Sequence, residues 1–394
     1  MTPFRHTPIE TIAEAQRRAK RRLPKPVYTS VIAGNDKGLT TAYNVETFDE
    51  LGFIPRVGVE LPAVRDMATT LLGQEISLPV VLSPAGVQAI TPGGEVPAAR
   101  ASAKVGTAIG QSNFASMAFE DVAKANPKAF FQIYWTGSRE EIAARVERMR
   151  TAGAKALIAT LDAMPSQARD WGSPSIPERV NLASMIRYAP MGLSRPAWLL
   201  GFVRNGGLPD LKVPNLSMPG KPTPTLIEGF MDWVATPLPT WKDIAWLKEI
   251  WGGPFMVKGV MTVEDAKTAV EIGADAISVS NHGGNNLDST PSALRALPGI
   301  VEAVGDQVEI AYDGGIRRGG DVIKALALGA RVVLVGRAYL FGLAADANGQ
   351  RGVEEILEVL RAGIDKTLVG LGRASVHDVS RADLVIPDGF AINC

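Results

Sequence analysis

The sequence predicts an α/β protein folded as a (β/α)8 barrel, and three observations lead there. From residue 79 onward, eight short apolar runs alternate with amphipathic stretches. The runs are apolar at nearly every position, as strands buried on both faces of a parallel sheet must be. Nearly every run also ends in a polar residue, which gathers reactive side chains at the rim where such barrels carry their active residues. A doubly wound open sheet would fit the same alternation, but no Gly-x-Gly-x-x-Gly turn follows the first run.

Taken in order, residues 1–78 read as an N-terminal extension packed on the barrel. It carries a charged helix with the run "RRAKRR" (17–22), which a solvated helix face accounts for. The barrel occupies residues 79–394. Its expected strands are "PVVLS" (79–83), "GTAIG" (106–110), "AFFQIYW" (129–135), "KALIATLD" (155–162), "PFMVKGV" (254–260), "DAISVSN" (275–281), "VEIAYDG" (308–314) and "RVVLVG" (331–336). The stretches between them, such as "SREEIAARVERMRTAGA" and "TVEDAKTAVEIGA", start at Ser or Thr with acids in the first turn and end in Gly-Ala. Those are helix start and stop signals. A long insertion, 163–240, separates the fourth and fifth strands. It holds 12 of the 27 prolines, together with Trp171, Trp198 and Trp233. Loops of this length are functional or disordered, and the aromatic content argues against disorder. The expectation is a partly mobile lid over the barrel mouth, with a subunit contact as the alternative.

Composition narrows the function. Forty-one basic and forty-one acidic residues cancel, so the chain has no global attraction to nucleic acid. No apolar run reaches the roughly 18 residues of a membrane span, and the N-terminus lacks a signal peptide's apolar core. The single cysteine, Cys394, excludes an intrachain disulfide and suits a reducing compartment. A cytoplasmic protein is expected. No His/Cys cluster has metal-ligand spacing.

The rim residues are Ser83, Ser112, Gln132, Tyr134, Thr160, Asp162, Lys258, Ser280, His282, Asp313, Gly336 and Arg337. Singly, a polar strand end caps a helix or makes a turn. A ring of them is harder to explain that way. Lys258, inside the apolar "FMVKGV", needs a partner or an anionic ligand. The last two units carry "YDGGIRRGGD" (312–321) and "VGRAY" (335–339). Glycines there let backbone N–H groups approach an anion, a helix start adds its dipole, and Arg317 or Arg318 with Arg337 can supply forked donors. Barrels place phosphate at strands seven and eight, so a phosphate-bearing ligand is expected. His282, at a strand end beside these groups, reads as a general base rather than a core histidine. His6 and His377 lie outside the rim pattern.

The order Lys258, "SNHGG" (280–284), "DGGIR" (313–317) and "GR" (336–337) resembles the FMN-dependent α-hydroxy-acid oxidase and dehydrogenase family, from about Val27 to the C-terminal helix. That resemblance implies FMN, with the backbone of Pro84, Ala85 and Gly86 along the isoalloxazine and Ser112, Gln132 and Thr160 on its polar edge. It implies that Lys258 stabilises the reduced ring and that Ser280 touches the ribityl chain or ring edge. Asp313, Gly314, Gly315, Arg317, Gly336 and Arg337 are implied to hold ribityl hydroxyls and phosphate. His282 becomes the base, Asp162 its partner, and Tyr134 a substrate contact. A homotetramer is usual for the family.

The chain departs from that pattern where the family binds a carboxylate. Asn285 stands where an arginine follows "NHGG", and Ser30, in "TSVIAG", stands where a tyrosine is usual. Arg169 is the nearest match to a second arginine. An amide is a poor counter-ion for a carboxylate but suits a neutral amide or lactam. The stretches "SNHGGNNLD" and "RDWGSPSIPERV" resemble the family's mycofactocin-pathway branch. This implies as substrate a small lactam made from the C-terminal Val-Tyr of a precursor peptide, and its oxidative deamination to an α-keto amide. The electron acceptor, whether oxygen, a quinone or a carrier protein, stays open. Two alternatives remain: an ordinary 2-hydroxy-acid dehydrogenase, and a phosphate-binding barrel in which flavin is structural.

Overall fold

The computed structural model describes residues 7–392 except 87, 165–167, 175, 176, 178–180, 206 and 208–210. His6, Cys394 and parts of the insertion lie outside the described residues. Eight parallel strands close a barrel in chain order: β1 (Val80–Leu82), β2 (Ile109–Ser112), β3 (Ala129–Ile133), β4 (Leu157–Thr160), β5 (Phe255–Val260), β6 (Ala276–Val279), β7 (Glu309–Asp313) and β8 (Val332–Val335). Seven fall where the apolar runs placed them. The second begins later than expected, at Ile109. Gly106, at φ 86°, closes the helix Val96–Val105 by donating its N–H to the Ala103 and Ser102 carbonyls. A left-handed glycine cap therefore claims the first residues of that run, and Ser112 lies inside its strand rather than after it.

Strand side chains alternate between two faces. Val81, Ala108, Phe130, Ala156, Ile158, Met256, Ala276, Ala311, Val332 and Leu334 form one buried cluster in the barrel interior. Leu71, Leu72 and Ile76, from the hairpin Thr69–Leu71/Gln74–Ile76, join this cluster. Two residues further along the strand, or four in the case of Ser112 and Ser280, the same parity delivers Ser83, Ser112, Gln132, Thr160, Lys258, Ser280, Asp313 and Gly336. The polar rim is thus the uppermost interior layer, with every strand contributing one residue.

The extension forms part of the barrel mouth. Its helices are α1 (Ile12–Arg22), α2 (Lys25–Ile32) and α3 (Leu39–Glu46). Helix α1 buries Ile12, Ala15 and Ala19 and packs on the helix Arg337–Ala345. The N-terminus of α3 is capped from far away: the Asp288 carboxylate accepts N–H groups of Gly38 (3.0 Å), Leu39 (3.2 Å) and Thr40 (2.8 Å). Asn44 and Asn281 exchange amide hydrogen bonds at 2.7 and 3.1 Å. Gly315 sits against this helix at φ 74°, where a Cβ would overlap the Asn44 carbonyl oxygen.

The insertion contains α4 (Leu182–Leu193), α5 (Pro196–Arg204) and α6 (Leu226–Ala235). Its three tryptophans dock it. Trp171 packs on Gly34 and Gly38, where a Cβ would meet its ring at 2.8 and 2.9 Å. Trp198 Nε1 donates to the Ala89 carbonyl at 2.9 Å. Trp233 packs at a tilt against Tyr134, with centroids 5.8 Å apart.

Burial alone would raise the Asp288 carboxyl, but the backbone N–H groups it accepts outweigh that and hold it below the usual range. Its folded pKa is thus lower than its unfolded value of about 3.9. The cap contributes fully above that value and is lost as pH falls through the folded pKa. Asp288→Asn should lower stability by about 1 kcal/mol at neutral pH. In urea melts, the difference from the parent should shrink below about pH 3.9; an equal difference at all pH values would contradict the capping role.

Candidate active site

A cavity of about 380 Å3 opens at the C-terminal strand ends. It is lined by rim residues, by α6 and by the end of α2. Its acid–base centre is built where β6 ends. The Ser280 hydroxyl accepts the His282 N–H at 3.0 Å, and His282 takes the left-handed φ of 55°. That conformation is costly for a residue with a side chain. Gly283 and Gly284 continue at φ 61° and 75°. The turn places His282 Nδ1 2.9 Å from Asp162 Oδ1 and Nε2 3.2 Å from the Tyr134 hydroxyl. Burial would raise the Asp162 carboxyl, yet His282, by charge and hydrogen bond, and Lys258 outweigh it and hold the acid below its usual range. Burial pushes the Tyr134 phenol up, with Asp162 and Asp313 adding to the effect, so its proton stays on. The roles then follow. Nδ1–H donates to the Asp162 carboxylate, and the Tyr134 O–H donates to the Nε2 lone pair.

Next to this pair, Lys258 and Asp313 form an ion pair at 2.8 Å and are 3% and 6% exposed. Burial would lower the Lys258 ammonium, but Asp313 and Asp162 raise it above its ordinary value, so it stays charged. Lys258 Nζ also donates to Ser280 Oγ at 2.8 Å, and Ser280 Oγ donates to Asp313 Oδ1 at 2.7 Å. One serine hydroxyl thus makes three hydrogen bonds, to the lysine, the aspartate and the backbone of His282.

The opposite end of the cavity is cationic. Arg337 Nε donates to the Ile32 carbonyl and Nη1 to the Gly283 carbonyl, each at 2.7 Å. Burial, with Arg317 and Arg169 nearby, pushes its guanidinium down to about 9 against the opposing pull of Asp313. Arg317 is also lowered by burial. A buried guanidinium lowered by burial and by neighbouring arginines suits an anion bound among them. Gly314 and Gly315 line the same end with positive φ.

FMN fits this cavity together with Gln132 and Thr160, which are outside its lining but pair in register with the lining residues Ser112 and Lys258. Both ends of the Gln132 amide and the Thr160 hydroxyl are buried without a hydrogen-bond partner among the described residues. Buried polar atoms left this way are costly. A donor–acceptor amide and a hydroxyl on adjacent strands match the imide edge of an isoalloxazine, and the arginine end matches its phosphate.

Comparison with known proteins agrees. The family model of the FMN-dependent dehydrogenases matches residues 19–386. The chain belongs to the FMN-dependent dehydrogenase family. Its enzymology is therefore that of an FMN oxidoreductase. It is 59% identical to pre-mycofactocin synthase of Mycobacterium tuberculosis over 382 residues, covering 97% of this chain and 96% of that one. It is 37% identical to glycolate oxidase 3 of Arabidopsis thaliana over 381 residues, covering 95% and 96%. Among solved structures, it superposes on the monotopic membrane protein (S)-mandelate dehydrogenase with a TM-score of 0.86. That match is 30% identical and covers 96% of this chain and all of that one.

The predicted residues do not all reach the cavity. His282, Asp162, Tyr134, Lys258, Ser280 and Asp313 form one connected network, and Pro84, Ala85, Gly86, Ser112, Gly336 and Arg337 line the cavity beside it. Asp313, expected at the ribityl and phosphate end, is held at the centre by Lys258 and Ser280. Asn285 lines the cavity, but its Oδ1 accepts the Gly34 N–H at 3.1 Å, so its acceptor is already used. Ser30 lines it too, with its hydroxyl donated to the Pro26 carbonyl at 3.0 Å. Arg169 is absent from the lining; its Nη1 donates to the Thr29 carbonyl at 3.2 Å, tying the insertion to α2.

Three contributors were not assigned to the site from the sequence. Phe114 and Trp233 complete an aromatic wall with Tyr134; nothing in the local pattern marked Phe114, and Trp233 was legible only as part of the aromatic insertion. Gly259 was legible only as a glycine interrupting a strand, a common sign of a bulge. It has φ 103° at the β5–β6 register shift, and a Cβ there would stand 2.6 Å from Asp162 Cγ. Gly259→Ala should displace the Asp162 carboxyl and slow substrate reduction of the flavin by about tenfold or more while FMN stays bound. Stopped-flow absorbance checks this, and an unchanged rate would dismiss the positioning role.

Proposed function

We propose that this chain is a pre-mycofactocin synthase: it oxidatively deaminates a small peptide-derived amino-lactam to an α-keto amide. The observation that carries this is Asn285, where the family resemblance calls for an arginine. The Gly34 N–H occupies its Oδ1, which leaves Nδ2 as the group to offer a ligand. A donor without charge suits a lactam carbonyl and serves a carboxylate poorly. The 59% identity to a pre-mycofactocin synthase, against 37% to a glycolate oxidase, supports the same reading.

In this reading, bound FMN supplies a two-electron acceptor. Gln132 and Thr160 would hold its imide edge, Lys258 would offer positive charge beside the ring, and Arg317 and Arg337 would meet the phosphate. Tyr134 turns its O–H from His282 to the substrate, which frees Nε2. His282 Nε2 then takes the proton from the substrate centre, and the Asp162 carboxylate stabilises the imidazolium that results. In all, the amine loses two electrons and two protons, one proton from carbon and one from nitrogen, and the resulting imine is hydrolysed by water to a ketone and ammonia. Phe114, Tyr134, Phe230 and Trp233 give the cavity an aromatic wall for a tyrosine-derived ring. The resemblance also suggests a cytoplasmic homotetramer, which light scattering would measure.

The decisive experiment mixes the oxidised flavoprotein anaerobically with the Val-Tyr-derived amino-lactam, and separately with lactate or mandelate. Rapid bleaching by the lactam, with ammonia released in equal amount, is expected. Bleaching by the hydroxy acids alone would make the chain a 2-hydroxy-acid dehydrogenase. His282→Ala should keep FMN but slow bleaching by about a hundredfold or more; the parent rate would sink the base assignment. Asn285→Arg combined with Ser30→Tyr should give measurable binding of small 2-hydroxy acids by titration. No gain would count against the specificity account.

A further inference from the structure

A second cavity, of about 580 Å3, lies beside the active one, between the α4–α5 hairpin and the barrel top. Its size is that of a small-molecule site. The two cavities share Ser30, Val31, Gly86, Phe114, Leu226 and Leu340, so these residues form the passage between them. Two of them leave the passage wide. Gly86 has no side chain, and a Cβ there would press on the Phe114 carbonyl oxygen at 3.1 Å. Ser30 stands where the family resemblance calls for a tyrosine, and it turns its hydroxyl back to the Pro26 carbonyl of its own helix.

The walls decide what can enter. Among the described residues, no charged side chain lines the second cavity. Three of its polar residues spend their donors on backbone. Trp198 Nε1 donates to the Ala89 carbonyl at 2.9 Å and Ser184 Oγ to the Asn181 carbonyl at 2.9 Å. Gln88 Nε2 donates to the Phe114 and Lys212 carbonyls at 3.2 and 3.3 Å. A charged group placed in this space would lose its water without replacement. An alkyl or aryl group would gain from burial. On the hairpin side, Gly192 of α4 faces Leu199 of α5, where a Cβ would stand 3.8 Å from the leucine, an ordinary contact.

We propose that the second cavity is a subsite for an uncharged, apolar tail carried by the substrate, and that the small side chain of Ser30 admits the tail to it. The head of the substrate reacts beside His282, and the tail passes Ser30 and Gly86 into the apolar space. The aromatic wall leads there, since Phe114 and Leu226 belong to both cavities. A ring held against that wall has the passage beside it. The substrate class is then an amino-lactam whose apolar substituent is longer than one ring. This rests on the amino-lactam reading for the identity of the head and on the two cavities for the tail.

The test titrates the FMN-loaded full chain with lactams that lack the reactive amino group and carry a para-methoxy-, para-propoxy- or para-hexyloxybenzyl substituent. Binding is read from the change in flavin absorbance. Each added methylene should lower Kd by up to about fourfold until the cavity is filled. Ser30→Tyr should cancel that gain along the whole series, and Gly192→Leu should cancel it for the hexyloxy ligand. Both variants should keep the parent's circular dichroism; if Ser30→Tyr does not fold, Gly192→Leu carries the test. Equal Kd values along the series overturn the proposal, and so does a gain that the folded variants retain. If no lactam binds, the amino-lactam reading has failed, and the same tails on mandelate then test the subsite by the KM of flavin reduction. A gain there that the variants cancel upholds the subsite, and its absence overturns it.

Discussion

The mouth of this barrel depends on one buried ion pair and the hydroxyl between its partners. Lys258 and Asp313 are inside the protein, where an unpaired charge would be very costly. They are on strands β5 and β7, with β6 between them. Ser280, just past the end of that intervening strand, bridges them, and the same oxygen receives the His282 N–H. The requirement that a buried cation and anion satisfy each other therefore also fixes the backbone of the residue that carries the base. Loss of the serine hydroxyl would leave a lysine donor, an aspartate acceptor and a histidine N–H without a shared partner.

Strand parity made much of this arrangement legible in the sequence. The polar rim was readable because each strand ends its apolar interior column with a residue of another kind, and local composition reveals that. His282, Lys258 and the glycine–arginine loops were readable for the same reason. Other features were not, because their meaning lies in partners far along the chain. Asp288 looked like part of a motif and turned out to cap a helix some 250 residues earlier. Asn285 was identified as the altered position, but its acceptor is spent on Gly34, which the sequence does not reveal. Arg169 was a reasonable candidate by position, yet the Thr29 carbonyl draws it away. The strand after Gly106 began late because a helix cap and a strand start competed for the same residues.

The N-terminal extension and the insertion, which are not part of the barrel repeat, account for most of what distinguishes this site. The extension contributes Ser30 and holds Asn285 in a single orientation through Gly34. The insertion contributes Trp233 and Phe230. Three tryptophans, each against a different neighbour, hold the insertion to the protein body. The aromatic wall of the cavity is thereby tied to the same insertion that carries the α4–α5 hairpin. The second, mostly apolar cavity of about 580 Å3, walled by Tyr188, Trp198 and Leu199 of that hairpin, shares Phe114, Leu226 and Leu340 with the active cavity.

The hydrogen bond from Tyr134 to His282 has its own consequence. The base and the phenol engage each other. A molecule entering the cavity has to break one hydrogen bond and replace both halves of it. It must accept from the phenol and present a removable proton to the imidazole. A ligand that can do only one leaves either a buried donor or a buried lone pair unpaired, which carries the full penalty of desolvation. The resting contact therefore acts as a filter that counts donors and acceptors, and it rejects molecules of the right shape but the wrong polarity before any chemistry begins.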